Sequence, residues 1–318
     1  MLKEGSGPLN NSSLNFNVLD DVLDTLRFRG SIFFHSSLAA PWGMSLSAHS
    51  PPRFHIALEG GFYVGAGQDQ LTVDAMDIVM LSEGREHWIA DQPGRKLVPS
   101  SLAGDACGLG RPLFQQGAIT NRLMCGLVEY DNASLHPIID LLPPIFQISG
   151  IHAADSIWLT VQQIDTEIVR SQSRKNLVID RLTEVLCIQL MHKYISENHY
   201  LEGFLSALKD PRLIRVLQLI HQHVEHHWTL DTLGAAAGMS RATLQRRFKD
   251  VVGQSPMSYL GQWRMSKAYQ LLKYSNASLD NIADLVGFAD ARTLRIAFQR
   301  EYQLTPSELR KSSGNGLK

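Results

Sequence analysis

Two helical faces in this sequence carry side chains suited to reading a base pair. In RATLQRRFKDVV the inward positions are Leu244 and Phe248, which leaves Arg241, Thr243, Gln245, Arg246 and Lys249 on the remaining surface. Gln can form two hydrogen bonds to adenine, and Arg two to guanine, in the major groove. Gln245 and Arg246 are therefore the first candidates for base contacts, while Arg247 and Lys249 on the flanks suit phosphate oxygens. About fifty residues later, ARTLRIAFQREY places Leu294 and Phe298 inward and Arg292, Thr293 and Arg295 outward. Position 296 aligns with Arg246 but is isoleucine, so the second face offers one polar reader fewer. A polar helix face is ordinarily just solvated, so the case rests on what surrounds these two.

Other candidates lie upstream. His55 and His87, with His49 and Glu59 nearby in sequence, are residue types that bind first-row divalent metals. No metal is assigned to them. The two histidines read either as effector-binding residues lining a pocket or as packed side chains. Cys107 and Cys125 are a candidate redox pair, provided that the fold brings them within disulfide reach. Cys125 fits equally well as a small buried residue. The run HQHVEHHW holds His223 and His227 at i,i+4 metal spacing, but nothing completes a site, and its four histidines read as a solvated helix end.

The elements that position the two polar faces form a repeat. LDTLGAAAGMSRATLQRRF is answered by LDNIADLVGFADARTLRIAF, and each reads as a short helix, a tight turn at Gly238 or Gly287, and a second helix. Thr229 and Ser240 are N-caps in the first copy, Ser278 and Asp290 in the second. Ala235, Ala236 and Ala237 are small enough for two helices to cross closely. The motifs span 229–251 and 278–301. Between them SPMSYLGQWRMSKAYQLLKYS reads as a helix of about 18 residues, about 27 Å long. Recognition helices on such a spacer can enter major-groove segments about 34 Å apart on one face of DNA. A helix over 211–226 precedes the first copy.

The N-terminal portion has another texture. A short helix over 12–30 carries Leu19, Val22, Leu23 and Leu26 on one side, and β-like runs follow from about 31 to 130 with Gly, Pro and Asp between them. Residues 92–118 read as a long loop. Two amphipathic helices, about 155–171 and 176–197, follow. Their inward residues are Ile157, Val161, Ile164 and Ile168 in the first, and Val178, Leu182, Val185, Leu186 and Leu190 in the second. This hairpin either packs on the strands or offers a homodimer surface through 155–197.

Charge divides the chain in the same place. Residues 210–318 carry 15 Lys and Arg against 9 Asp and Glu, whereas residues 1–209 carry 15 against 22. A basic C-terminal part beside an acidic N-terminal part points to a polyanion meeting only the former. The three cysteines show no paired spacing, which fits a reducing cytoplasm. No apolar run approaches a membrane span and no signal core opens the chain, so a cytoplasmic protein with no membrane partner is expected.

The repeat, in WTLDTLGAAAGMSRATLQRRFKDVVGQSPMSYLGQWRMSKAYQLL and IADLVGFADARTLRIAFQREYQLTPSELR, resembles the AraC/XylS family of bacterial transcriptional regulators over about 210–311. The family more often has Ala at 234, and it usually has Phe at 294 and Gly at 303, where this chain has Leu and Gln. FHIALEGGFYVG, LTVDAMDIVMLSEGREHWIAD and MCGLVEYDNASLHPIIDLLP resemble the cupin-type sensor domain of one branch of that family, with Met76-Asp77 in place of the usual Gly-Asp. The resemblance implies an α+β chain: residues 1–200 a cupin-like β-barrel with a helical hairpin for sensing and dimerisation, residues 201–318 an all-α double helix-turn-helix domain. It also implies double-stranded promoter DNA and RNA polymerase as partners, with an unidentified small-molecule effector. No catalytic residue and no cofactor is expected; a metal-dependent cupin enzyme fused to a DNA-targeting module is the alternative.

Overall fold

The computed structural model describes residues 11–48, 51–111, 113–131, 138, 141–171, 176–198 and 201–314. Helix α1 (Asn11–Leu26) comes first. Strands β1 (Arg29–Ala39), β2 (Gly43–Leu46), β3 (Arg53–Glu59), β4 (Phe62–Ala66), β5 (Asp69–Val73), β6 (Ile78–Leu81), β7 (His87–Ala90) and β8 (Val98–Pro99) follow. Helix α2 (Ser100–Gly108) then precedes β9 (Ile119–Glu129) and β10 (Phe146–Ile148), after which the chain is helical. Its contacts divide it into two units: residues 28–130 with 142–198, and residues up to 27 with 131–141 and 199–318. Helix α1 groups with the C-terminal helices, because its Val18, Leu19, Val22, Leu23 and Leu26 are buried and it packs on helices of that unit.

The strand-rich unit holds two five-stranded sheets, ordered β1-β9-β3-β6-β10 and β5-β4-β7-β2-β8. Alternation along the strands sends Phe34, Leu38, Ala57, Leu123 and Cys125 of the first sheet, and Met44, Leu46, Phe62, Val64 and Ile89 of the second, into one shared core. Trp42 is buried in that core, and its indole N–H donates to Asn121 Oδ1 at 2.9 Å while Asn121 Nδ2 donates to the Gly61 carbonyl. A buried amide with such partners costs little and fixes one arrangement of the strands.

Helices α3 (Ser156–Ser171) and α4 (Leu177–Glu197) pack together, and α4 packs on β1. Asp165 of α3 accepts from His35 Nε2 at 2.6 Å and from Arg122 at 3.0 and 3.1 Å, which pins α3 to the first sheet. The inward residues expected of α3 are all buried. Those of α4 are partly misphased. Ile179, Thr183, Leu186, Cys187, Leu190 and Tyr194 face in, whereas Val178 and Val185 are 46% and 45% exposed. The reason is that LVIDRLTEVLCIQLM is apolar on almost every side, so its period does not select a face. The segment 92–118 also departs from a plain loop, since Ala103 of α2 is buried against the core.

The other unit adds α5 (Gly203–Ala207), α6 (Leu213–Gln222), α7 (Leu230–Ala236), α8 (Arg241–Val252), α9 (Pro256–Tyr274), α10 (Leu279–Leu285), α11 (Ala291–Tyr302) and α12 (Pro306–Gly314) to α1. Helix α6 is shorter than the expected 211–226, with His223 as its C-cap. The 19-residue α9 starts at a Ser255 cap with Pro256 in its first turn. It buries Leu260, Trp263, Ala268 and Leu272 and touches α8, α10, α11 and α12. The chain is thus mixed α+β, with the strands in one unit and an all-helical second unit.

Candidate nucleic-acid interface

Each half of the repeat is set by its caps. Thr229 and Thr232 form a reciprocal capping box at the start of α7. Ser240 Oγ accepts from the Thr243 amide to open α8, and Asp290 Oδ1 accepts from the Thr293 amide to open α11. With these caps equated, Leu244 and Phe248 correspond to Leu294 and Phe298, all four fully buried. Gln245 then corresponds to Arg295, and Arg246 to Ile296. The turns differ by one residue: Gly238 lies two positions before its cap and Gly287 three before its own, both with positive φ. In the first copy it is Gly234, rather than the exposed Ala235 and Ala236, that lets the elements close up. A β-carbon at 234 would meet the Met239 carbonyl at 2.7 Å.

The candidate reading residues lie on the outer faces of α8 and α11. Arg241, Gln245, Arg246 and Lys249 are exposed and Thr243 is half-buried on α8; Arg292, Thr293 and Arg295 are exposed on α11. Arg246 and Lys249 form no ion pair among the described residues. Arg241 Nη1 lies 3.3 Å from Asp231, an exposed pair of small energetic value that a phosphate can displace. Arg247 departs from the phosphate role. Both its Nε and Nη2 donate to Asp210 Oδ2, and Asp210 also accepts from the amides of Arg212 and Leu213 at the start of α6. Arg247 therefore ties α8 to α6.

The histidine run is not a uniformly solvated helix end. His221 is buried and packs against Trp263, with ring centroids 4.0 Å apart and the planes tilted by 31°. Its Nδ1 donates to Asp21 of α1 at 2.9 Å, and its Nε2 accepts from the Tyr259 hydroxyl at 2.7 Å. Burial lowers the His221 pKa, against the pull of Asp21. Burial opposes ionisation of Asp21 too, yet His221 and Lys267 hold its carboxyl below the usual range. Further along the run, the carbonyls of Val224 and His226 accept from Arg264 of α9. A side chain at Gly287 would strike Arg264 and the Glu225 carbonyl. Arg264 thus links the end of α6 to the turn of the second copy, a role invisible in the motif.

In the strand-rich unit His55 of β3 and His87 of β7 meet, Nε2 to Nε2, at 2.9 Å. His87 Nδ1 lies 2.9 Å from the Arg85 carbonyl, which only accepts, so its proton sits on Nδ1 and its Nε2 accepts from His55. Burial pushes the His55 pKa well below its ordinary value and that of His87 down to about 4. His55 Nδ1 is then a bare, buried acceptor with no hydrogen-bond partner. Two ring nitrogens that share a hydrogen bond do not by themselves make the donor set of a first-row metal, and no group of three potential ligands occurs among the described residues. Glu59 pairs instead with Arg122 at 2.7 Å, and His49 lies outside the described residues. Cys125 is opposite His55 on β9, and its buried thiol is pushed far above the usual range by desolvation. Cys107 falls within α2, and its side chain lies outside the described residues.

Comparison with known proteins agrees with both units. A cupin family model matches residues 17–196, and a helix-turn-helix domain model matches 233–312. The transcriptional regulator AlkR of Acinetobacter baylyi is 27% identical over 93% of this chain and 99% of its own length. The regulator MtrA of Neisseria gonorrhoeae is likewise 27% identical, over 93% of this chain and 99% of its own. Among solved structures, the DNA-binding domain of AdpA in complex with a target DNA is 31% identical, covering 34% of this chain and 96% of that one at a TM-score of 0.32. No helix of the described residues is long and apolar enough to cross a membrane. With a cupin domain ahead of two capped helix-turn-helix units, the chain belongs to the AraC/XylS family of DNA-binding transcriptional regulators.

Proposed function

We propose that the cupin-type unit receives a small-molecule signal which alters how the helix-turn-helix unit engages promoter DNA, so that RNA polymerase is recruited or blocked. On this reading Gln245 and Arg246 read bases, Arg241, Thr243 and Lys249 position α8, and Arg292, Thr293 and Arg295 serve α11. The observation that supports a ligand is the bare Nδ1 of His55, since an unpaired buried acceptor costs about 1–3 kcal/mol. A donor on a bound molecule offsets that cost. This reading assigns the effector site to His55 and His87 and calls for neither catalysis nor a metal. A metal-dependent cupin enzyme fits this pair less well, because the two nitrogens satisfy one another. A redox input through Cys107 and Cys125 is weaker still, because a thiol so resistant to ionisation is a poor nucleophile.

Two copies of the chain would join through α3 and α4, where Val178 and Val185 with the half-buried Leu182 leave an apolar stripe one heptad long. Sedimentation of the full chain and of Val185→Glu tests this: the variant should shift towards monomer, and an unchanged dimer would remove the surface. The effector reading is tested by mapping DNA sites with and without candidate metabolites. His55→Ala should keep DNA binding and lose the response. A His55→Ala protein that still responds to the same metabolite would contradict this placement of the site.

A further inference from the structure

Ile296 lies on the solvent face of α11 and is 62% exposed. Nothing in the packing of the helix asks for it: Leu294 and Phe298 already supply the buried contacts, and the second core is complete without residue 296. The cap-to-cap correspondence sets it at the place where α8 carries Arg246. Its neighbours on the exposed face are cationic, with Arg292 one turn before it, Arg295 next to it and Arg300 one turn after it. An exposed aliphatic group among arginines, at a base-reading position, faces a polyanion whose major groove displays a single apolar group, the thymine C5 methyl.

Resting on the DNA-binding assignment above, we infer that Ile296 reads a thymine methyl in the major-groove segment entered by α11. A branched aliphatic side chain has no donor or acceptor. Against guanine, adenine or cytosine it would cover polar edge atoms and return nothing for the water they lose. Against thymine it buries a methyl group. The two copies then apply different chemistry at equivalent positions: Arg246 selects by hydrogen bonds, Ile296 by apolar contact. Arg292 and Arg295 hold the helix in the groove, so the discrimination at this position belongs to residue 296.

The test begins with selection of binding sites from random duplex DNA by the full-length protein, followed by replacement of each thymine with uracil, which removes only the methyl. At one position in the second protected segment, uracil should weaken binding about threefold to fivefold, the equivalent of one buried methyl group. In Ile296→Ala that difference should vanish while the other positions behave as before. Ile296→Arg should change the preferred base there from thymine to guanine. Because the side chain is exposed, unchanged thermal midpoints will show that the variants remain folded. Uracil without effect anywhere in the second segment, or an Ile296→Ala protein that keeps the sensitivity, would overturn the inference. Failure to enrich any sequence would count instead against DNA binding itself, and the inference would fall with it.

Discussion

Asp21 and His221 are joined at 2.9 Å although 200 residues separate them in the chain. Asp21 also accepts from Lys267 of α9 at 2.5 Å, so one carboxylate of α1 ties α6 to α9. The fold of the DNA-binding unit therefore includes the N-terminal helix. Asp21→Ala leaves a buried imidazole N–H without its acceptor and should cost about 1–3 kcal/mol. Denaturant melts followed by Trp fluorescence should show one transition shifted to lower denaturant, and a fragment of residues 201–318 should be weaker still. A fragment as stable as the intact unit would show that α1 contributes nothing.

Acid should loosen both units. His221, His55 and His87 have folded pKa values below the ordinary 6.5, in each case through burial first. The unfolded chain therefore takes up protons that the folded one refuses. Their contribution is fully present above pH 6.5 and is lost progressively as pH falls, for His87 down to about 4. Asp21, whose folded pKa is depressed, adds a loss of the same sign at lower pH, below its ordinary 3.8. Unfolding free energies measured from pH 8 to 4 should fall, and His87→Gln should flatten the slope. A level profile between pH 7 and 5 would refute the burial of these neutral imidazoles.

Two positions where the family resemblance expects glycine keep a left-handed backbone without one: Met76 at φ 74° and Gln303 at φ 56°. Gln303 offsets part of the strain through Nε2, which donates to the Arg300 carbonyl at 2.9 Å. Gln303→Gly should stabilise the chain by about 0.5–1 kcal/mol, since it occupies the position that Gly253 holds in the first copy at φ 87°. Thermal scans of the single variant suffice to check this, and a lower midpoint would contradict it.

On DNA, Arg246→Ala should cost about 1–3 kcal/mol and relax preference at one base position. Lys249→Ala should instead weaken all sequences alike and flatten the salt dependence. Arg247→Ala should act mainly on stability, because its guanidinium is held by Asp210. Titrations at several salt concentrations separate the three. Equal effects of Arg246→Ala on every sequence would mean that α8 enters the groove in another orientation.

Much of this was legible in the residues. Caps at Thr229, Ser240, Ser278 and Asp290, the turn glycines and the inward Leu-Phe pairs are local signals, and they fixed both motifs. The strands around His55 and His87 alternated clearly enough to be found, though not the short β2, β8 and β10. What escaped was non-local or ambiguous in period. The face of α4 was hidden by apolar residues on nearly all sides. The burial of His221 depends on Asp21, far away in sequence, and Arg247 looked like any exposed cation until Asp210 came beside it. The pairing of His55 with His87 likewise required two strands of different sheets to meet.

The most direct test of two unequal reading heads on one spacer helix is a hydroxyl-radical footprint of the full-length protein on its selected site. Two protected segments about 34 Å apart on one face of the duplex are expected. Arg246→Ala should fade the first and spare the second. A single protected segment, or equal fading of both in Arg246→Ala, would contradict the assignment of α8 and α11 as separate heads.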